Sequence, residues 1–369
     1  MRRWRAVALG LAGLVVALVA VLAVVLRYES ACPPASSADP GPSGMRALQR
    51  HCYGGTDRLA IERVARPVVA DDTVLVKVHA AAVNPLDWHY MRGKPYIMRL
   101  DAGLGAPKSA AMGVDFAGTV EAIGKAVTRF KVGDRVFGAR DGALAEYVAV
   151  REAGTIVAMP DGVDFAEAAA VPVAAMTALQ AVRDQARVSP GQKVLVNGAS
   201  GGVGTYAVQI AKALGAEVTG VCSTRNVDMV RSLGATHAVD YTRDDFTQGT
   251  EHYDVIIDNV GTHPLSEYRR VMTPSGVLVV VGSVDDGDYL GPLATLVKAK
   301  AAGTFGSQRV EAFISSSNAA DLTFLRDLMQ RGQLRSAIDR TYPFAQAAEA
   351  IAYLETGRAR GKVIVDLTE

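Results

Sequence analysis

The sequence has few cysteines and almost no net charge, and both shortages exclude whole classes of protein. Only 3 cysteines occur in 369 residues. None forms a Cys-x-x-Cys pair, which argues against a disulfide scaffold and against a cysteine-rich metal site. The 39 basic residues are balanced by 38 acidic ones, and no long basic run follows the N-terminal segment. A nucleic-acid surface needs a clustered positive field, so no nucleic-acid partner is expected.

Charge is also missing from one long stretch at the N-terminus. No residue from Ala6 to Leu26 is charged, and arginines and aromatic residues stand on both sides of this run. At about 1.5 Å per residue, the run is long enough to cross the ~30 Å apolar core of a bilayer. The pattern therefore predicts a single-pass membrane anchor over residues 1–28, with the membrane as a partner.

Other interpretations of this segment stay open. A cleaved signal peptide is the main competitor, although its apolar region usually spans only about 7–15 residues. The arginines before the run favour an N-terminus in the cytoplasm, which would put the rest of the chain across the membrane. Cleavage or a start at Met45 would remove the anchor, so the side of the membrane is left undecided. Residues 29–44, rich in Pro, Ser, Ala and Gly, predict a flexible linker.

Two patterns of secondary structure follow the linker. Residues 45–164 contain short alternating strands separated by glycine-rich turns, which predict a β-rich catalytic domain. Residues 165–312 alternate strands with amphipathic helices, which predicts a doubly wound parallel sheet of the Rossmann type. Residues 313–369 return to mixed structure and are expected to rejoin the first domain. The predicted fold is therefore α/β, with the Rossmann domain inserted into the β-rich domain.

A glycine-rich turn joins a buried strand to an amphipathic helix. The strand Lys193–Asn197 runs directly into Gly198-Ala-Ser-Gly-Gly-Val-Gly204, which is the context that a dinucleotide-binding motif requires. Glycines let the backbone approach a pyrophosphate, and the start of a helix favours its negative charge. The predicted cofactor contacts in this turn are Ser200, Gly201, Gly202, Val203 and Gly204.

The residues after the next strand indicate which dinucleotide binds. An NAD site usually places Asp or Glu there, to bind the 2′-hydroxyl of the ribose. This strand instead ends Val221-Cys-Ser-Thr-Arg-Asn226, with hydroxyls and a cation. Ser223 and Arg225 are therefore expected to contact the 2′-phosphate of NADPH. The alternatives are a solvated surface charge for Arg225 and a turn cap for Ser223.

Several short motifs, taken in order and spacing, carry a family resemblance. They include Ala82-Val-Asn-Pro-Leu-Asp87, Gly113-Val-Asp-Phe-Ala-Gly118, Gly133-Asp-Arg-Val-Phe-Gly138 and Gly357-Arg-Ala-Arg-Gly-Lys-Val363. From Met45 to Glu369 the chain resembles the zinc-free quinone oxidoreductase branch of the medium-chain dehydrogenase/reductase superfamily. The resemblance implies a GroES-like catalytic domain, a small electrophilic substrate and a homodimer, and NADP (NADPH) is the cofactor expected from Ser223 and Arg225.

The resemblance also implies roles for individual residues. Asn84 matches a position beside the nicotinamide and the substrate, and it is the expected catalytic residue. Further cofactor contacts implied in this way are Thr177, Tyr241, Val260, Gly282 and Lys362. An ordinary turn or surface role is the alternative for Val260, Gly282 and Lys362.

Zinc-dependent relatives place Cys and His where this chain has Asn84 and Val114. Catalytic zinc needs about three protein ligands, which Asp115 alone cannot supply, so no metal is expected and Asp115 is expected to bind local backbone. The predicted reaction is direct hydride transfer from NADPH to a quinone or another conjugated carbonyl compound. His89 and Tyr90 are candidate proton donors. The alternatives are an enoyl or 2-alkenal reductase, and a non-catalytic, membrane-tethered NADPH-binding sensor or scaffold.

Overall fold

A computed structural model describes residues 20–33, 40–41, 43–282, 287–302 and 307–368. Its strands are β1 (Gly44–Arg50), β2 (Leu59–Ala65), β3 (Thr73–Val83), β4 (Asp115–Ile123), β5 (Arg135–Ala139), β6 (Tyr147–Arg151), β7 (Ile156–Ala158), β8 (Lys193–Asn197), β9 (Glu217–Cys222), β10 (His237–Asp240), β11 (Tyr253–Asp258), β12 (Met272–Val280), β13 (Arg309–Ala312), β14 (Ile338–Pro343) and β15 (Lys362–Asp366). The longer helices are Pro85–Arg92, Pro172–Leu179, Gly202–Ala213, Pro292–Ala302, Ala319–Gln330 and Ala347–Glu355, and the shorter ones are Arg99–Ala102, Phe165–Ala169, Val227–Ser232 and Leu265–Arg270.

The first large sheet has the strand order β14-β15-β3-β4-β5-β7, and β6 pairs with β3 as well. Its pairs are antiparallel except for β14 with β15. Along β3, Val74, Val76 and Val78 alternate with less buried residues, as expected for a strand with one face on a core. Because β15 pairs with β3, the end of the chain returns to the sheet that the first strands build.

The second sheet is parallel throughout, with the order β10-β9-β8-β11-β12-β13. Its central strand β8 is apolar on both faces, since Val194, Leu195 and Val196 are all fully buried beneath helices. The strand order reverses between β8 and β11, and in such sheets ligands bind in the crevice at that point. The predicted α/β fold, with a β-rich sheet and a Rossmann-type sheet, is confirmed.

The two sheets share one apolar core. Ala80, Ala117 and Phe137 of the first sheet belong to the same buried cluster as Val194 of the second. The helix Pro172–Leu179 supplies much of the contact between them, because its alanines are small enough to let the two layers approach. The crevice between the sheets is therefore bounded by rigid elements.

The prediction of a membrane anchor is wrong. Among the residues that the structure describes, no helix is both long and apolar enough to span a bilayer. The helical residues 20–27 form the described end of the apolar run, while residues 1–19 lie outside the described part. At this end the chain packs on protein: Leu26 is buried, and Arg99 donates hydrogen bonds to the carbonyl oxygens of Leu26 and Tyr28.

The expectation drawn from the scarcity of cysteine is also corrected. Cys32 and Cys52 form a disulfide, whereas Cys222 is free and buried. The segment before Cys32 is held by further contacts, because the Oγ of Ser30 donates to the carbonyl oxygen of Gly105 at 3.1 Å. Glu29 accepts a hydrogen bond from the Nη2 of Arg99 at 2.8 Å. Residues 26–32 therefore lie against Arg99, Gly105 and Cys52, although composition predicted a flexible linker from residue 29 onward.

Candidate active site

The turn between β8 and the helix Gly202–Ala213 requires glycine at two of its positions. Gly198 has a positive φ of 74°, which only glycine adopts at little cost. A Cβ on Gly204 would lie 2.0 Å from the carbonyl oxygen of Gly198, so a side chain there would break the turn. The close approach of these two backbones sets the helix start directly above the end of β8.

The same turn leaves room for a phosphate group. A Cβ on Gly201 or Gly202 would meet no atom closer than 3.5 Å, so the backbone there is open. Gly201 is the N-cap of a 12-residue helix and makes no side-chain cap hydrogen bond. Uncapped N–H groups at the start of a helix attract an anion, and the residues therefore fit the pyrophosphate of a dinucleotide. An isolated bridge between Gly201 and Gly361 brings the C-terminal loop beside them.

Asn226 connects the glycine-rich turn of residues 198–204, called the phosphate turn below, to the end of β9. Its side-chain nitrogen lies 3.0 Å from the Oγ of Ser200 and 3.2 Å from the Oγ of Ser223, and it is buried. Its side-chain oxygen accepts a hydrogen bond from the Nε of Arg360 at 2.8 Å. Sequence reasoning missed both Asn226 and Arg360, because the contact between them spans 134 residues and no local pattern signals it.

Arg225 stands at the rim of the same region. Its Nη2 donates to the carbonyl oxygen of Arg358 at 3.1 Å, so the predicted 2′-phosphate residue lies beside the loop that carries Arg358 and Arg360. Tyr241 follows β10 and is 63% exposed, and its backbone N–H binds the carbonyl oxygen of Cys222. The structure thus brings Ser200, Ser223, Arg225 and Tyr241 to one edge of the parallel sheet.

The turns after β11 and β12 close the other side of the crevice. A Cβ on Gly198 would lie 2.7 Å from Val260, and one on Gly282 would lie 2.6 Å from the carbonyl oxygen of Asn259. Asp258, buried at the end of β11, accepts hydrogen bonds from the backbone N–H groups of Val260 and Gly261 at 3.1 and 3.0 Å. Sequence reasoning missed Asp258, although a carboxylate ending a buried strand is a recognisable signal.

Asp258 is held in place by two further donors. The Nδ2 of Asn197 lies 2.9 Å from its Oδ1, and the hydroxyl of Tyr268 lies 2.7 Å from its Oδ2. All of these contacts lie at the carboxyl ends of β8 and β11, where the strand order reverses. The predicted residues Val260 and Gly282 are therefore positioned by a buried polar network at the expected edge of the sheet.

A buried polar cluster is formed where three strands of the first sheet meet. Asn84, the residue after β3, donates from Nδ2 to the Oδ2 of Asp115 at 2.9 Å. The Nζ of Lys362 donates to the Oδ1 of Asn84 at 2.5 Å and lies 3.4 Å from the same Asp115 oxygen. Asp115 and Lys362 are 0% and 3% exposed. Burial raises the pKa of Asp115 and lowers that of Lys362, since each charge loses its hydration.

This cluster orients the Asn84 side chain, because both ends of its amide are occupied. The other oxygen of Asp115 accepts a hydrogen bond from the backbone N–H of Val173 at 3.0 Å, which is the kind of backbone contact predicted for it. Thr177 lies one helical turn further on, and its hydroxyl donates to the carbonyl oxygen of Val173. Lys362 is consequently a buried partner of Asn84, a contact that its place in the sequence did not indicate.

A cavity of about 220 Å³ lies on the far side of Asp87 from Asn84, which does not line it. Its wall includes Asp87, Val114, Tyr90 and Arg50. The Oδ2 of Asp87 accepts the backbone N–H of Asn84 at 2.7 Å, which connects the cavity wall to the polar cluster. Burial raises the pKa of Asp87 to about 7. Of the two candidate proton donors, Tyr90 lines the cavity, whereas a ring nitrogen of His89 lies 2.8 Å from the carbonyl oxygen of Lys94.

The described part of the chain contains no group of three or more His, Cys, Asp or Glu side chains arranged to hold a metal ion. Next to Asp115, the two positions that bear Cys and His in zinc-dependent relatives hold Asn84 and Val114 in this chain. Neither side chain is a usual zinc ligand, since zinc prefers thiolate, imidazole and carboxylate.

Two parts of the chain match known family models. Residues 70–161 match the alcohol dehydrogenase GroES-like domain, and residues 233–365 match a family described as zinc-binding dehydrogenase. A GroES-like catalytic sheet combined with a Rossmann-type nucleotide sheet defines a dehydrogenase of the medium-chain type.

Individual relatives indicate which branch of the medium-chain dehydrogenases the chain resembles. The chain is 33% identical over 338 residues to a chloroplastic quinone-oxidoreductase homolog of Spinacia oleracea, with 87% of this chain and 98% of that protein covered. It is 33% identical over 340 residues to the chloroplastic NADPH-dependent alkenal/one oxidoreductase of Arabidopsis thaliana, with 88% and 80% covered. The structure of the quinone oxidoreductase from Coxiella burnetii is 29% identical and superposes with a TM-score of 0.75 over 88% of this chain and 99% of that one.

The chain therefore belongs to the medium-chain dehydrogenase/reductase superfamily, in its quinone oxidoreductase-like branch. It is an oxidoreductase, and its cofactor is a nicotinamide dinucleotide.

Proposed function

We propose that the protein reduces quinones or α,β-unsaturated carbonyl compounds by direct hydride transfer from NADPH, without a metal ion. The observation that carries the proposal is the amide of Asn84, which Asp115 and Lys362 orient at a position that is a metal ligand in zinc-dependent relatives. Bound NADPH supplies the hydride. A substrate that delocalises the incoming charge needs no zinc to polarise its carbonyl group, and quinones and enones both have this property.

The protein's own residues bind and orient in this proposal. The phosphate turn and the N-terminus of the helix Gly202–Ala213 bind the pyrophosphate, and the turns after β11 and β12 bound the nicotinamide half. Asn84, fixed by Asp115 and Lys362, positions the reacting groups. Such prealigned contacts lower the entropy cost of bringing the two reactants together.

The preference for NADPH over NADH is part of this proposal. No carboxylate ends β9, and the hydroxyl of Ser223 and the guanidinium of Arg225 face the region where a 2′-phosphate would lie. Asp240, at the end of β10, uses both of its side-chain oxygens to accept hydrogen bonds from Thr224 and Thr242. A cation and hydroxyl groups bind the 2′-phosphate of NADPH, whereas an NAD site usually has a carboxylate that binds the ribose 2′-hydroxyl.

We expect Arg225→Gln to weaken NADPH binding by about 10- to 100-fold, because a charge-assisted hydrogen bond contributes about 1.5–3 kcal/mol. Binding of NADH, which has no 2′-phosphate, should change little. Titration of cofactor fluorescence with both dinucleotides measures the difference. Arg151→Gln, which removes an exposed arginine of the other sheet, is the matched control. An equal loss for both cofactors would contradict the assignment of Arg225 to the 2′-phosphate.

The proposed reaction is tested by following NADPH oxidation with the full chain and three acceptors. We expect turnover of 1,4-naphthoquinone and of a 2-alkenal, and none of the saturated aldehyde of the same length, because only the first two delocalise the charge. The ratio of the first two rates decides between a quinone reductase and the alternative, an enoyl or 2-alkenal reductase. Tight NADPH binding without turnover of any acceptor would instead support the sensor or scaffold.

We also propose that the protein is a homodimer and that its domains divide at residues 164/165 and 312/313. Strand β13 ends the parallel sheet, so it offers the edge through which two cofactor domains could pair. Light scattering of the full chain, with and without a proline substituted in β13, tests that arrangement.

A further inference from the structure

Arg50, the last residue of β1, lines the same cavity as Asp87 and Val114 and is 4% exposed. Its Nε and Nη1 are buried and make no hydrogen bond. No ion pair joins its guanidinium to a carboxylate in the described ranges of the chain, although Asp87 and Asp141 line the same cavity. Burying a cation without a hydrogen-bonding or ion-pair partner lowers the stability of the folded protein. The presence of Arg50 is therefore better explained by a role in function than by a role in stability.

Two aromatic rings hold the guanidinium in place. The Cζ of Arg50 lies 5.8 Å from the ring centre of Tyr53 and 5.4 Å from that of Tyr90. The backbone N–H of Arg50 is fixed by the carbonyl oxygen of Ala110 at 2.8 Å. The side chain is therefore preorganised in the cavity wall, and the N–H groups of Nε and Nη1 have no acceptor. A guanidinium only donates hydrogen bonds, so the missing partner must be an acceptor.

We propose that Arg50 is a catalytic residue that binds the carbonyl oxygen of the substrate and stabilises the negative charge that forms there during reduction. This inference rests on the proposed function and adds to it the electrophilic group that zinc supplies in other dehydrogenases. It also defines the substrate as one whose carbonyl oxygen reaches Arg50 inside the cavity.

The step balances in electrons and protons. The β-carbon of an enone accepts a hydride, and the cofactor is oxidised by two electrons. The π electrons of the C=C bond shift, and an enolate forms with its negative charge on the oxygen that Arg50 binds. A proton from water then adds to the α-carbon and restores the carbonyl group. A quinone accepts the hydride at a ring carbon in the same way, and an enolate oxygen forms at Arg50. A proton then shifts from that ring carbon to the second oxygen as the ring becomes aromatic, and a proton from water on the oxygen at Arg50 completes the hydroquinone.

Preorganised donors aimed at a developing oxyanion are strong catalysts, and removal of one typically costs about 100- to 1,000-fold in rate. We therefore expect Arg50→Met to lower kcat/KM by about 100-fold or more for quinone and enone alike. Arg50→Lys, which keeps the charge but loses the planar fork, should recover part of the loss. The thermal midpoint of Arg50→Met should be equal to or above that of the parent protein, because an unpaired buried charge is replaced by an apolar chain.

A binding measurement separates this role from turnover. 4-Nitrophenol is a stable mimic of the anionic oxygen, and its colour reports whether the bound form is the phenolate. We expect the parent protein, loaded with NADP⁺, to bind the phenolate and to lower the pKa of bound nitrophenol. Arg50→Met should bind the phenolate about 10- to 100-fold more weakly and leave the bound phenol neutral.

The outcomes are distinguishable. Lys108 is an exposed cation that also lines the cavity. If Lys108→Met lost phenolate binding and turnover while Arg50→Met kept both, the assignment to Arg50 would be overturned. Unchanged phenolate binding in Arg50→Met would do the same, even if turnover fell. If the parent protein reduces neither acceptor class yet binds the phenolate through Arg50, the proposed function fails while the oxyanion site stands.

Discussion

Lys362→Met should destabilise the protein by about 3–5 kcal/mol, because it leaves a buried carboxylate without its cation. The Lys362 ammonium lies 3.4 Å from Asp115, which has no exposed surface, and no other cation contacts that carboxylate among the residues described. The Oδ1 of Asn84 loses its donor as well, so its amide is no longer held. We expect a lower midpoint in urea unfolding together with a loss of turnover.

A double variant separates the effect of charge from that of packing. Asp115→Asn with Lys362→Met removes both charges, and it should recover much of the stability that Lys362→Met loses. It should not recover full turnover, because the side-chain oxygen of Asn84 still has no ammonium donor. If the double variant were as unstable as the single one, the loss would be due to packing rather than to an unpaired charge.

The loss in Lys362→Met should also depend on pH. Burial already raises the pKa of Asp115, and removal of the ammonium raises it further. In the unfolded chain the carboxyl ionises near its ordinary pKa of about 4. Between that pH and the raised folded pKa, the unfolded state is favoured increasingly, so stability falls as pH rises. Unfolding curves at mildly acidic and mildly alkaline pH should therefore differ more for Lys362→Met than for the parent protein.

The elements of the parallel sheet could be predicted because their signals are local. The strand Lys193–Asn197 begins and ends where the sequence predicted it. The start of β12 at Met272 has no such local signal, because Pro274 and Gly276 argue against a strand there. The register between β11 and β12 shifts at this point, which accommodates those two residues.

The polar clusters of the site could be predicted only in part. Asn84 and the phosphate turn stand in recognisable motifs, but Lys362 is 247 residues from Asp115 and 278 from Asn84. A contact over such a separation depends on how β15 pairs with β3, which no periodicity reveals. The role of Arg50 could not be predicted from the sequence either, because it is inferred from the missing hydrogen-bond partners of its guanidinium, which only the structure reveals.

The disulfide shows how tertiary docking can override composition. Cys32 lies within the segment that composition predicts to be a linker, and its Cα lies 5.2 Å from that of Cys52. That distance depends on Arg99, a fully buried residue whose guanidinium binds Glu29 and the carbonyl oxygens of Leu26 and Tyr28. A buried arginine sets where the segment lies, and its partners lie about 70 residues away in the sequence. Amino-acid composition alone does not predict such a long-range contact.

Gly204→Ala should abolish detectable cofactor binding and lower the stability of the parallel-sheet unit by several kcal/mol. The new Cβ would lie 2.0 Å from the carbonyl oxygen of Gly198 and 2.9 Å from the Cα of Ala199, so backbone must move. Because backbone rather than a side chain must move, we expect a cost at or above the upper end of the ~1–3 kcal/mol that is typical of overpacking. Calorimetry of NADPH binding and urea unfolding measure the two losses.

Gly201→Ala is the matched control, because it makes the same chemical change three residues earlier in the same loop. Gly201 has an extended backbone, and its Cβ would meet no atom closer than 3.5 Å. The parent stability should therefore be kept, while a methyl group on the open backbone should weaken pyrophosphate binding. Loss of stability at Gly201 as large as at Gly204 would mean that the loop tolerates no side chain anywhere. Close packing would then not distinguish Gly204 from Gly201, and the open face assigned to Gly201 would be wrong.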